Sequence, residues 1–226
     1  MKGGIMATIT EATVALTGIT LRDVAWETYC KLRDEESNNH LRMNYLDGNL
    51  TIMSPLARHD LSSRQLFLIV VAVVRAWRIE FLPVGTTTLR RKGLAKLKGA
   101  GKEPDDGFYF GADVAKVENL DDIDLAIHPP PGLAIEVDNS GEAKSALPTY
   151  ARIGVPEVWI YKAREKTLWF GRLRGKTYRK ISRSIHLERL TPTLVLQALA
   201  SRDEMGNLGW LDWLDAWARA LPKPLS

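Results

Sequence analysis

The chain has 226 residues, 45% hydrophobic and 26% charged, which is the size and composition of one folded globular domain rather than of a disordered or collagen-like chain. Cys30 is the only cysteine, so an internal disulfide is excluded, and no apolar run approaches the roughly 20 residues that span a bilayer. The formal net charge of +4 permits an anionic partner without demanding one. No leading segment has the charged start, apolar stretch and small-residue cleavage site of a secretory signal, so a cytoplasmic protein with no membrane association is expected.

In chain order, residues 1–20 show little period and read as a loose arm, with one mixed α/β domain over 21–226. Asp23 is placed to cap a short helix that runs to about Asp34, with Val24, Tyr29 and Leu32 as its buried positions. Leu41 to Leu46 and Asn49 to Ser54 are joined by Asp47-Gly48, a strong signal for a tight β-hairpin. A long helix is expected from about Ala57 to Glu80, polar at first and then apolar on nearly every face, so that its second half is core. Phe81 to Leu89 reads as extended. It feeds a basic, Gly-rich segment in which Arg90, Arg91, Lys92, Lys96, Lys98 and Lys102 are unopposed by any acid, predicted as a flexible loop.

Gly107 to Phe110 is a short strand and Asp113 to Val117 at most a helical turn. Pro129-Pro130-Pro131 breaks the chain before Leu133-Ala134-Ile135-Glu136-Val137-Asp138, the expected central strand. A helix near Glu142 to Ile153, a hairpin-like pair over Glu157 to Tyr161 and Thr167 to Arg172, and two closing helices complete the chain. Trp210, Trp213 and Trp217 in the last helix are spaced for packing in a core or an interface. From Arg164 to Arg189, nine cations face only Glu165 and Glu188.

Chemistry concentrates where acids fall in buried strands. Alternation puts Glu136 and Asp138 on one face of their strand, and two acids there are costly unless paired or bound to a cation, for which a hard divalent ion with oxygen ligands is the usual partner. Glu103-Pro104-Asp105-Asp106 opens another strand and offers a further ligand. Salt bridges to the chain's basic side chains, or a hydrated strand end, account for the same pattern without any site. The basic segment leads straight into Asp105, so its cations are candidates for phosphate contact as much as for a solvated loop.

Three runs carry a resemblance: Glu103-Pro104-Asp105; Pro130-Pro131-Gly132-Leu133-Ala134-Ile135-Glu136-Val137-Asp138; and Leu147-Pro148-Thr149-Tyr150-Ala151-Arg152-Ile153-Gly154-Val155-Pro156-Glu157-Val158-Trp159. With Trp26-Glu27-Thr28-Tyr29, Gly48 to Pro55 followed by His59, and Gly85-Thr86-Thr87-Thr88, their order resembles the Uma-two family of restriction-endonuclease-like proteins over roughly residues 20–220. The resemblance implies the PD-(D/E)XK nuclease fold, a restriction-endonuclease-like mixed β-sheet flanked by helices, here with an N-terminal helix and β-hairpin and C-terminal helices. It also implies a DNA endonuclease using Mg²⁺ or Mn²⁺, with Asp105 and Glu136 as the motif acids, Asp138 as a further ligand and His59 as a site candidate. A homodimer, with the Trp-bearing last helix as interface, is left open.

The chain departs from that pattern at the lysine. Two residues after Glu136 stands Asp138, and on the following helix, where the family commonly carries the base, stands Ala146. The nearest lysine there is Lys144. Two readings therefore follow: a metal-dependent nuclease with Asp105, Glu136, Asp138 and Lys144 at its centre, or a catalytically impaired relative that binds nucleic acid or a protein. A lysine within hydrogen-bonding reach of Glu136, whether Lys144 or another such as Lys102, separates them.

Overall fold

The computed structural model describes residues 18–53, 57–96, 98–120, 122–138 and 143–223, without the side chains of 57–60. Most of the expected N-terminal arm, residues 1–17, lies outside them. The element order is β1 (Ile19–Leu21), α1 (Trp26–Asp34), β2 (Arg42–Leu46), β3 (Asn49–Met53), α2 (Ala57–Trp77), β4 (Phe81–Pro83), β5 (Leu89–Lys92), β6 (Gly99–Lys102) and β7 (Asp106–Phe110). It continues with β8 (Leu133–Asp138), α3 (Leu147–Ile153), β9 (Glu157–Lys162), β10 (Thr167–Arg174), β11 (Thr177–Ile181) and α4 (Pro192–Ala220). Short 3₁₀ turns occupy Glu36–Asn38, Gly111–Lys116 and Ala143–Ala146.

The strands form two sheets, of order β1-β3-β2-β6-β5 and β11-β10-β9-β8-β7-β4. In the second, β8 and β9 are parallel, joined by a crossover through α3, and the other pairs are antiparallel. A strand inside such a sheet is covered on both faces, and all six residues of β8 are buried. Leu133, Ile135 and Val137 face a core with α2 and α4, where Leu66, Ile69, Val70, Val73 and Trp210 pack. Ala134 faces the opposite core, which α3 shares with the first sheet through Tyr150, Ile153, Leu89 and Ala100. Glu136 and Asp138 share the Ala134 side by alternation, so the carboxylates point into the space between the two sheets.

The Asp47-Gly48 turn has φ of 47° and 94°, the left-handed pair that a two-residue hairpin demands. Asp23 does not cap α1: its φ is 55°, and Ala25 stands at the N-cap with no side-chain hydrogen bond. The buried residues of α1 are Trp26, Tyr29 and Arg33, with Val24 and Leu32 half-buried. The segment predicted as a flexible loop is instead the antiparallel hairpin β5–β6, Leu89 opposite Lys102 and Lys92 opposite Gly99.

The glycines that made that segment look mobile are there for packing. A Cβ on Gly99 would lie 2.5 Å from the Trp26 ring, and one on Gly101 would lie 2.2 Å from the Tyr29 hydroxyl. Strand β11, polar and at the sheet edge, is an additional strand beyond the hairpin-like pair expected from the pattern. The two expected closing helices lie within α4 and meet at Gly206, whose φ of 68° and ψ of 178° are not helical. Trp210 is buried with its Nε1 donating to Ala198 O, and Trp213 stacks on Trp217.

Candidate active site

Three segments meet at one point of the inter-sheet space. The end of β6 supplies Lys102, the Glu103-Pro104-Asp105 link supplies Asp105, and β8 supplies Glu136. Lys102 is the Cα partner of Asn44 on β2 and of Leu89 on β5. It shares the sheet face of Ala100, so its side chain leaves the first sheet toward the second. Its Nζ lies 3.1 Å from Glu136 Oε1 and donates to Glu103 O at 3.1 Å, with the ammonium 5.9 Å from the centre of the Tyr150 ring. Tyr150, on α3, donates its hydroxyl to the same Glu136 Oε1. Both charged side chains are nearly inaccessible, at 5% and 8% exposure.

Asp105 is fixed against β8 by a backbone exchange and a side-chain bond. Its N–H donates to Ile135 O at 3.1 Å, and its Oδ2 accepts from Val137 N at 2.7 Å, one residue from Glu136. Ser63 of α2 donates to its carbonyl at 3.0 Å. Glu103 serves the scaffold: its carboxylate accepts from Met43 N and Thr88 Oγ1 and lies 3.6 Å from Arg33. Asp106 points to the other side of its strand, as neighbouring strand residues must, where burial first and then the Asp105 charge lift its carboxyl to about 6 against the hydrogen bond from Gly107 N and the pull of Arg64.

The electrostatics of the cluster follow from burial and sign. Burial is the largest influence on Glu136 and raises it to about 7; the Asp105 charge pushes the same way, while the Lys102 ammonium and the Tyr150 hydroxyl oppose it. For Lys102, burial acts to lower the pKa, but the charges of Glu136 and Asp105 outweigh it and the net direction is up. Tyr150 is held well above its ordinary value by burial and then by Glu136. Once Glu136 is ionised, two acids and one ammonium leave a net charge of about −1, which one further cation would offset.

Whether a divalent ion fits can be judged from the oxygens. Glu136 Oε2 and Asp105 Oδ1 accept no hydrogen bond among the described residues, so each carboxylate keeps one oxygen for a ligand. Among the described residues no three His, Cys, Asp or Glu side chains are grouped to hold a metal. An ion held there would therefore rest on at most two of these carboxylates and on water.

The remaining sequence-derived candidates fall as follows. Asp138 is buried two residues beyond Glu136, and its charge acts on Lys162, its Cα partner on β9. Lys144 is exposed, whereas Ala146 is buried in the core that α3 shares with the first sheet. His59 lies in the first turn of α2, its side chain outside the described residues. Of the basic hairpin, Arg90 makes two bonds to Asp34 at 2.7 and 3.1 Å, Arg91 donates to Ile153 O, Lys92 is 3.8 Å from Glu27 and Lys98 is 3.5 Å from Asp47. Lys96 has no charged partner among the described residues.

Tyr150 and Asn44 were not singled out by the sequence. Tyr150 had a signal, lying in the Leu-Pro-x-Tyr segment; Asn44, whose buried Oδ1 has no hydrogen-bond partner among the described residues beside Lys102, had none.

Among the described residues no helix is long and apolar enough to cross a membrane. No curated protein matches the chain. Among solved structures it is similar to a "putative nuclease belonging to DUF820" from Anabaena variabilis, with a TM-score of 0.46 and 15% identity over 86% of this chain and 99% of that one. The family model described as "Uma2: Putative restriction endonuclease" matches residues 26–204, a span that includes Lys102, Asp105, Glu136 and Tyr150. Since that match takes in every element from α1 to the first half of α4, the chain belongs to the Uma2 family.

Proposed function

We propose that the protein is a metal-dependent endonuclease that hydrolyses DNA phosphodiester bonds at the cluster of Asp105, Glu136 and Lys102. The observation that carries this is the buried Lys102 ammonium 3.1 Å from Glu136 Oε1 in the field of Asp105: a lysine and two acids from three separate segments, at the place where the family pattern requires a base and this chain has Asp138 and Ala146.

In this reading Asp105 and Glu136 would hold Mg²⁺ or Mn²⁺ through the oxygens that accept no hydrogen bond among the described residues, with water completing the shell. A divalent ion held there supplies Lewis-acid polarisation of a phosphoryl oxygen and a bound water of lowered pKa. Lys102 remains charged throughout the neutral range. Its ammonium orients the attacking water by hydrogen bonding and offsets the charge that grows on the phosphoryl oxygens. Tyr150 fixes the rotamer of Glu136 by its hydroxyl, and Val137 N fixes that of Asp105, so both carboxylates are pre-positioned. Lys102, and not the exposed Lys144, takes the lysine's role in this reading.

The test is incubation of plasmid DNA with purified protein and Mg²⁺ or Mn²⁺ beside a Glu136→Ala control. Metal-dependent nicking by the wild type alone supports the reading. Nicking no greater than that of the control with either ion would reduce the chain to a nucleic-acid or protein binder.

A further inference from the structure

The cations near Asp105 are mostly engaged within the molecule, but a second set is not. Between Thr167 and Leu187 the chain carries Arg172, Arg174, Lys176, Arg179, Lys180 and Arg183 and no acid. All six are exposed, and none of their side chains makes an ion pair or hydrogen bond with another described residue. Arg172 and Arg179 are direct Cα partners across the β10–β11 ladder, an arrangement of like charges that destabilises a sheet. The acid paired with Arg172 on the neighbouring strand does not relieve it. Glu157, the Cα partner of Arg172 on β9, is buried and accepts instead from Trp159 Nε1, Ser184 Oγ and Ile185 N. Among the described residues the edge of the sheet thus carries a repulsion without a compensating acid, which an anionic partner would remove.

We propose that the β10–β11 edge is the surface on which the phosphate backbone of duplex DNA docks; this rests on the nuclease reading above and names the surface that delivers its substrate. Lys180 lies opposite Gly171, on the Glu136 side of the sheet, while Arg172, Arg174 and Arg179 lie on the other side, so the cations wrap the edge. Arg172 stands level with Leu133, two strands away and three residues from Glu136. Strand spacings of about 4.8 Å and rises of about 3.3 Å put the Arg172 and Glu136 Cα atoms roughly 14 Å apart, less than half of the ~34 Å turn of a duplex.

The chemistry favours a phosphate backbone. Guanidinium groups on rigid strands are suited to bidentate phosphate contact. No large apolar side chain from 167 to 187 is among the exposed ones, which a membrane-inserting surface would require. Recognition through these side chains is of the backbone, and so largely independent of sequence.

The test is the anisotropy of a labelled 25-base-pair duplex in chelator, without cleavage, as salt is raised from 50 to 200 mM. The triple variant Arg172→Thr, Arg179→Thr, Lys180→Thr should bind at least tenfold more weakly at 100 mM salt, and its slope of log K against log salt should be shallower by about 2–3. The free variant should melt about 1–4 °C higher as the repulsion disappears, which separates lost docking from misfolding. Arg179→Thr alone should lower the slope by about 1. Glu136→Gln should bind as the wild type does while losing cleavage, and Lys92→Thr with Lys98→Thr should leave the slope nearly unchanged. Unchanged duplex binding by the triple variant, or wild-type binding to phosphatidylserine vesicles but not to duplex, would overturn the docking surface whatever the cleavage result; duplex binding that depends on the edge without any cleavage would uphold it and overturn the nuclease reading.

Discussion

Replacing Lys102 by Met removes the ammonium at nearly constant side-chain length, and the pH dependence of stability then reports the ion pair. In the metal-free wild type Glu136 is raised from its ordinary 4.5 to about 7, by burial first and then by Asp105. A folded pKa above the unfolded one contributes stability that is full below about 4.5 and is lost as pH rises to about 7. With 7 − 4.5 = 2.5 and 1.36 kcal/mol for each, the loss is about 3 kcal/mol. Above pH 7 this contribution is flat, since Glu136 is ionised in both states.

In Lys102→Met the strongest influence opposing burial is gone, the folded carboxyl keeps its proton longer, and stability goes on falling by about 1.4 kcal/mol per pH unit. At pH 8.5 the variant is therefore a further ~2 kcal/mol behind the wild type, or about 4–8 °C in Tm for a chain of this size. At pH 5.5 Glu136 is protonated in both proteins. The gap there is small or reversed, because a thioether replaces a buried ammonium whose partner has lost its charge. Thermal melts in chelator at pH 5.5, 7.0 and 8.5 measure this directly. A Tm difference that stays constant across the range would refute the coupling.

Three further outcomes follow from the same geometry. Saturating Mg²⁺ or Mn²⁺ should raise the wild-type Tm by mass action, by the equivalent of about 2.7 kcal/mol at one hundred times Kd; Asp105→Asn should lose most of that shift, and Asp138→Asn read alongside decides whether Asp138 is a ligand. Tyr150→Phe removes a buried donor to Glu136 and should cost about 1.5–3 kcal/mol at pH 8 by denaturant unfolding, with a smaller cost at pH 5.5, where the carboxyl is neutral. Gly101→Ala places a methyl 2.2 Å from the hydroxyl of Tyr29, which is itself stacked on Tyr45; it should destabilise by about 1–3 kcal/mol and weaken metal-dependent activity by shifting Lys102.

What was legible in the sequence had a local cause. Asp47-Gly48 fixes a turn by backbone conformation alone, and Leu133 to Asp138 declares a buried strand because its apolar residues surround two acids that need a reason to be there. Asp105 and Glu136 were reached from those acids together with the order of the surrounding segments. Lys102 was harder. Its segment is rich in glycine and lysine, the composition of a solvated loop, yet Gly99 and Gly101 are there because Trp26 and Tyr29 pack onto the bare backbone. That reason lies seventy residues away in the chain, and periodicity does not carry it.

The same blindness explains the helix after β8. Ala146 is buried in the core between α3 and the two sheets, so a lysine on that position would enter a core, and the ammonium instead comes from the first sheet. Strand β11 went unread because an edge strand needs only one apolar face, and this one is dominated by Arg179 and Lys180.

The central claim, that Lys102 completes a working nuclease centre with Asp105 and Glu136, is tested most directly by metal-dependent plasmid cleavage compared between Lys102→Met and Lys144→Ala. Loss of cleavage in Lys102→Met, with circular dichroism at pH 7 unchanged and Lys144→Ala as active as the wild type, is the predicted result. Full activity in Lys102→Met, or loss of activity in Lys144→Ala alone, would contradict it.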